Sequence, residues 1–426
     1  MGSQTKVEIL SRNYIQPLSP TPPNNRILGF SLLDQAIPLV YTPIIFFYSN
    51  DNNTGDSSSQ YLQKSLSKTL VHFYPFAGRV RDNTHIECND QGAYFIEARI
   101  DFPLSDILEQ PDPSLLGQFL PTSDPKFLKL AATDVVSLVQ LTEFSCGGIG
   151  IGVCASHKIA DMSSLCAFVK SWGETAREDG VVELPEFVGA SLLPPKDLPT
   201  DGALPAPVGG SLLATRRYLF DYPKLAHLKA KTSTSLQFTP TNVELVSAIL
   251  LRCAVSASQS AAALSVMFHG VNLRKRMVPP LRDYTIGNLV WNFPVSVEES
   301  DGIELDEILS TMRKEFVAFC DEKADRFRGE DGHSLIFETL RNNEEHARKG
   351  VEVYNCTSLC KFPYYEVDFG WGKPKWVTSP MFNNNVFVLM DRKLGEGIEA
   401  WVTLEEQKIA IFESNEELLS FASFKP

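Results

Sequence analysis

His157-Lys158-Ile159-Ala160-Asp161 is the stretch on which the reading of this chain turns, because the residues on either side of it fix the local architecture. Upstream, Val136 to Phe144 is a β-branched and apolar run, Gly147-Gly148 interrupts it, and Ile149 to Ala155 is a second such run. That pattern predicts a hairpin. Downstream, Asp161-Met162-Ser163-Ser164 opens a helix through Leu165, Phe168, Val169 and Trp172. His157 therefore falls on a strand-to-helix turn, where side chains are fixed yet accessible. The glycines from Gly147 to Gly152 fit a phosphate-loop pattern only in its looser form, at Gly150, Gly152 and Ala155. No helix starts there, so the hairpin reading is kept.

Imidazole titrates near neutral pH and can take a proton from an alcohol or amine that attacks a carbonyl. His157 is read either as such a base or as a buried histidine that donates to a backbone carbonyl. Asp161, four residues on, either orients the imidazole, caps the helix, or pairs with a distant arginine. The spacing alone leaves these open. GxSxG is absent, so a covalent acyl-enzyme is not implied. Direct attack in a ternary complex needs only a base and an oxyanion donor.

Asp368-Phe369-Gly370-Trp371-Gly372, followed by Lys373-Pro374, begins with the metal-binding triplet of kinases. No glycine-rich loop, VAIK or HRD accompanies it, which rejects that reading. It reads as a turn closing a strand from Tyr364 to Phe369, with Gly370 and Gly372 supplying backbone geometry other residues disfavour. Arg274-Lys275-Arg276 is the densest basic cluster. If extended, it places Arg274 and Arg276 on one face, able to pair with a carboxylate or phosphate.

The chain has 426 residues, 43% of them hydrophobic and 21% charged, which suits a soluble protein of two domains. Proline and glycine crowd between Leu184 and Gly210, so a long crossover is expected there. The expected division is residues 1–190, a linker at 191–215, and residues 216–426. Strand-like and helical runs alternate in both halves, the signature of mixed α/β architecture. The net charge of −13 argues against nucleic acid or an anionic membrane as partner. Eight cysteines form no CxxC and no zinc spacing. Cys146, Cys154, Cys166, Cys253 and Cys320 lie in apolar runs and are expected to be buried thiols in a reducing, cytoplasmic setting.

In this order and length of chain, the two motifs resemble those of the BAHD acyltransferases of plant specialised metabolism. HKIAD is similar to the family's HxxxD, and Asp368 to Gly372 reproduces its DFGWG. Phe30-Ser31-Leu32-Leu33-Asp34, His72 to Arg79, and Val271 to Met277 agree as well. The chain most resembles the vinorine synthase-like alcohol acetyltransferases. Met162 departs from the glycine of many relatives, and Tyr284-Thr285-Ile286-Gly287-Asn288 is a variant of a YFGN-type segment.

The resemblance implies two similar chloramphenicol acetyltransferase-like domains with mixed sheets and an active-site channel between them. It implies acyl transfer from acyl-CoA, with acetyl-CoA expected, to a hydroxyl of a metabolite such as an alkaloid or terpenoid. His157 would be the general base. Asp161 would point away and pair with Arg274, while Asp368, Gly370 and Gly372 would hold architecture. Thr241 and Asn242, at a helix N-terminus, and Asn288 become positions on the cofactor or oxyanion side. No resident cofactor, metal, nucleic acid or membrane is expected, and the protein is expected to be monomeric. The alternatives are a non-catalytic binding member of the family and an acyl-CoA hydrolase.

Overall fold

The computed structural model describes residues 6–49, 58–124, 134–178, 182–196, 212–258, 264–298, 303–324, 326–328, 331–381 and 383–425. Two compact units emerge. The first comprises Met1–Ala203, Leu281–Leu289 and Phe362–Pro380; the second comprises Leu204–Pro280, Val290–Lys361 and Met381–Pro426. Most of the expected linker at 191–215 lies outside the described residues. The expected simple cut also misses an exchange, because two short returns of the later sequence complete the first unit. One carries Asn288, and the other carries the DFGWG turn.

The first unit is built on a six-stranded mixed sheet. Its strands are β1 (Glu8–Ile15), β3 (Tyr41–Tyr48), β6 (Ala93–Ile100), β7 (Ser137–Phe144), β8 (Ile149–Ser156) and Trp376–Thr378. The order is β1-β6-β7-β8-β3 followed by Trp376–Thr378. β6 and β7 run parallel, and the other neighbours run antiparallel. A small sheet of β2 (Ile27–Gly29), β4 (Arg79–Arg81) and β5 (His85–Glu87) accompanies it.

The hairpin predicted around Gly147-Gly148 is the β7–β8 pair, and every residue of β8 is buried. A Cβ at Gly152 would sit 2.0 Å from the Phe119 carbonyl oxygen. This glycine therefore serves close packing of the chain against β8, not a phosphate.

Helix α1 (Leu32–Ala36) follows a Ser31 cap, α2 is Ser58–His72, and α3 is Met162–Arg177. Leu62, Leu66 and Leu70 recur every fourth residue of α2, so they share one face, and all three are fully buried. Trp172 of α3 donates its indole N–H to Ser65 of α2 at 2.9 Å.

The second unit holds a seven-stranded mixed sheet, in the order Val290–Glu298, Leu264–Asn272, Glu352–Ser358, Val386–Asp391, Gly397–Glu405, Leu213–Asp221, Ala422–Lys425. Its helices include Asn242–Ala257, Leu305–Ala318 and Gly332–Arg348. The strand expected at Tyr364 to Phe369 is instead a 3₁₀ turn over Pro363–Glu366 that leads into the glycine turn. Pro363 cannot donate to a ladder, which favours the turn. No helix among the described residues is long and apolar enough to cross a membrane. Of the cysteines expected to be buried, Cys146 is exposed in the turn between β7 and β8, and Cys320 is half-buried.

Candidate active site

His157 leaves the end of β8 in a turn whose first amide donates to the Val40 carbonyl at 2.7 Å. Its ring Nδ1 lies 2.7 Å from Asn288 Oδ1. The amide of Asn288 is oriented by its other end: Nδ2 donates to Asp34 Oδ1 at 2.9 Å and to the His157 carbonyl at 2.5 Å. Both amide protons are thus committed, so the oxygen must face the imidazole. An oxygen acceptor requires Nδ1 to carry the proton, which leaves the lone pair on Nε2. Nε2 has no hydrogen-bond partner among the described residues.

The half-buried ring is also kept neutral. Burial pushes the imidazolium below its ordinary value, and the bond from Asn288 and the charges of Asp161 and Asp34 offset this only in part. A neutral imidazole with a free Nε2 lone pair is the form a general base needs.

Asp161 is the N-cap of α3. One carboxylate oxygen accepts from the Ser164 amide at 2.9 Å, and the other accepts from the Leu289 amide at 3.1 Å. Ser164 Oγ exchanges bonds with both the amide and the carbonyl of Gly287. The start of α3 therefore grips residues 287–289 and fixes Asn288 between His157 and Asp34. Gly287 has a positive φ of 145°, which only glycine adopts without strain.

Lys158 turns the opposite way and is nearly buried. Its ammonium reaches Asn83 Oδ1 at 2.6 Å and the carbonyls of Gln35 and Asp34 at 3.3 and 3.4 Å. A cation on the last carbonyls of α1 is favourable, since those groups lack helical partners. Burial nevertheless brings its pKa down to about 8.

Of the other expected site residues, Asn288 and Thr241 have their polar groups engaged within the chain. Asn288 is fully buried, and both of its amide protons are spent, so it cannot serve as an oxyanion donor. Thr241 and Asn242 do open a helix, but Thr241 forms a capping box with Glu244, which also makes a two-bond pair with Arg313. A resident carboxylate at that terminus opposes an incoming phosphate. Arg274-Lys275-Arg276 forms a turn rather than an extended run, so the shared face is lost. Arg274 is fully buried, with its backbone amide and Nη1 on Asn272 Oδ1, whereas Arg276 lies over the Phe316 ring.

DFGWG folds as an aspartate-capped turn. Asp368 Oδ1 accepts from the amides of Gly370 and Gly372, at 2.7 and 2.9 Å. Both glycines have positive φ, 98° and 88°. Phe369 packs edge-on against Trp172 and Tyr48, and Trp371 packs against Tyr48 and Tyr61. Tyr48 pairs with Ile149 at one end of the β3–β8 ladder, and His157 follows Ser156 at the other. At about 3.3 Å per residue, eight-residue strands put roughly 20 Å between the turn and the imidazole.

The transferase-family model matches residues 5–419. Akuammiline synthase 1 of Alstonia scholaris is 39% identical over 420 residues, 97% of each chain. The chain is a BAHD acyltransferase. Another relative of the same family, a 17,18-epoxy-17-hydroxycur-19-ene N-malonyltransferase of Strychnos nux-vomica, is 35% identical over 98% of this chain and 91% of its own. Among solved structures, vinorine synthase matches with a TM-score of 0.84 at 31% identity, over 99% of both chains. F. graminearum TRI101 in complex with coenzyme A and deoxynivalenol shares the fold, with a TM-score of 0.69 at 18% identity over 94% of this chain and all of its own. In this BAHD chain the sequence reading missed the roles of Asp34 and Lys158. Ser31-Leu32-Leu33-Asp34 has the serine and carboxylate of a capping box, and that signal was available.

Proposed function

We propose that this acyltransferase moves an acetyl group from acetyl-CoA to a hydroxyl of a plant specialised metabolite, an alkaloid or terpenoid alcohol. His157 Nε2 takes the hydroxyl proton as the oxygen attacks the thioester carbonyl. The tetrahedral intermediate then collapses, the C–S bond breaks, and the departing thiolate takes the proton back from the imidazolium. The free acceptor lone pair on Nε2, with Nδ1 held by Asn288, is the observation that carries this reading. Acyl-CoA is a co-substrate and not a resident group. The protein acts as a cytosolic monomer.

The test is thiol release followed with a chromogenic disulfide across acetyl-CoA, malonyl-CoA and longer acyl-CoAs, with alcohol and amine acceptors and mass spectrometry of products. An acetyl ester formed only with acceptor present supports the proposal. Free acid released without acceptor would identify a hydrolase, and no thiol release with any pair would identify a binding protein.

A further inference from the structure

We propose that Asp34 is a positioning residue for the reaction, acting on His157 through the Asn288 amide. This rests on the general-base reading above. Asp34 sits at the third position of α1, 4% exposed, and accepts four hydrogen bonds. Ser31 supplies two to Oδ2, from its amide at 2.8 Å and its hydroxyl at 2.6 Å. Asn288 supplies two to Oδ1, from its amide at 2.8 Å and Nδ2 at 2.9 Å. Burial raises the carboxyl's pKa, and the bonds from Ser31 and Asn288 oppose this; four donors aimed at its two oxygens favour the ionised form.

The consequence reaches the imidazole by elimination. An Asn288 amide has two possible orientations, related by a half-turn about its last bond. With Asp34 ionised, the NH₂ faces the carboxylate and the His157 carbonyl, and Oδ1 faces the imidazole. With a donor at position 34, the opposite orientation competes, and NH₂ would meet Nδ1. Nδ1 would then have to accept, the proton would move to Nε2, and the base would lose its lone pair toward the acceptor. Asp34, together with the His157 carbonyl, thus selects the tautomer of a ring that its carboxylate does not touch. Lys158 supports this placement from behind, through the Asp34 and Gln35 carbonyls.

Asp34→Asn is the direct test, because it keeps shape and adds the donor. The readout is the ¹⁵N spectrum of labelled histidine, with His157 assigned by its loss in His157→Gln. In the parent protein His157 shows a protonated Nδ1 and an unprotonated Nε2. In Asp34→Asn the Nε2–H form gains population, and kcat falls by about 10²-fold, the scale of lost general-base catalysis. KM for the acyl-CoA changes little.

Ser31→Ala is the structural control. It removes one of the two donors to the other oxygen and the acceptor of the Asp34 amide, lowers the melting temperature, and leaves the His157 tautomer and kcat near parent values. Should Asp34→Asn fail to fold, Asp34→Glu retains the charge and is expected to keep the Nδ1–H signal. An Nε2–H signal in Asp34→Glu, or an unchanged tautomer in folded Asp34→Asn, overturns the proposal. That result leaves the base reading standing, since only His157→Ala with parental turnover removes it.

Discussion

His157 and His269 begin with similar chemistry and end with different roles. Each belongs to a strand region of one unit, and burial lowers the pKa of each, in His269 to about 4. His269 is 6% exposed, stacks on Phe293, and has both nitrogens engaged, Nε2 with the Ser247 hydroxyl and Nδ1 with the Gly270 carbonyl. It is the satisfied core histidine that donates to a backbone carbonyl. His157 has one nitrogen fixed by an oriented amide and the other left free. Burial and a depressed pKa are shared, so neither marks a catalytic histidine. The feature that separates the proposed base from the core histidine is its Nε2, unpartnered among the described residues.

The contrast breaks most directly on substitution. His157→Ala is expected to lower kcat by about 10² to 10⁴. His269→Gln is expected to leave kcat per folded enzyme near the parent value and to lower stability by about 1–3 kcal/mol, since a buried donor or acceptor loses its partner. Steady-state turnover and urea unfolding of the two proteins separate these outcomes. Equal losses of kcat would dissolve the distinction.

Asp161→Ala acts one step away from His157. It strips the cap of α3, about 0.5–2 kcal/mol, and leaves the buried Leu289 amide without this acceptor, about 1–3 kcal/mol more. The expected signature is a lower unfolding midpoint together with reduced kcat, because residues 287–289 hold Asn288. Full stability with lost activity would instead assign Asp161 a direct catalytic part.

Acid sensitivity sharpens the comparison further. The unfolded chain takes up protons at His269 near the ordinary value of about 6.5, whereas the folded chain resists until about pH 4. The unfolded state binds more protons in that window, so stability falls as pH drops through it. Urea midpoints measured at several pH values between 7 and 4 are expected to decline, and His269→Gln is expected to flatten part of that decline.

The smallest effect is expected at the DFGWG turn. Gly370→Ala places a side chain at a φ of 98° and is expected to cost about 1–2 kcal/mol. kcat of the folded protein should stay unchanged, because the turn lies a strand length from His157.

These differences also mark what the sequence could carry. The hairpin and the helix after Asp161 were legible because periodicity and glycine breaks are local. His157 was legible as a residue type on a turn. Its tautomer was not, since it depends on Asp34 and Asn288, which lie 123 and 131 positions away and meet His157 only in the folded unit. The oxyanion expectation for Asn288 failed because its donors were spent on partners that no spacing reveals. The extended reading of Arg274 to Arg276 failed because Asn272 accepts from the Arg274 backbone and turns the chain.

The most direct measurement follows one group by two routes in the same protein. His157 is titrated by ¹⁵N resonance, and the acid limb of kcat/KM is recorded over the same pH range. Activity should fall with decreasing pH through a single value below about 6.5, matching the resonance, because protonation at Nε2 removes the base. An acid limb that departs from the His157 titration, or one that persists unchanged in His157→Gln, would contradict the assignment of His157 as the base.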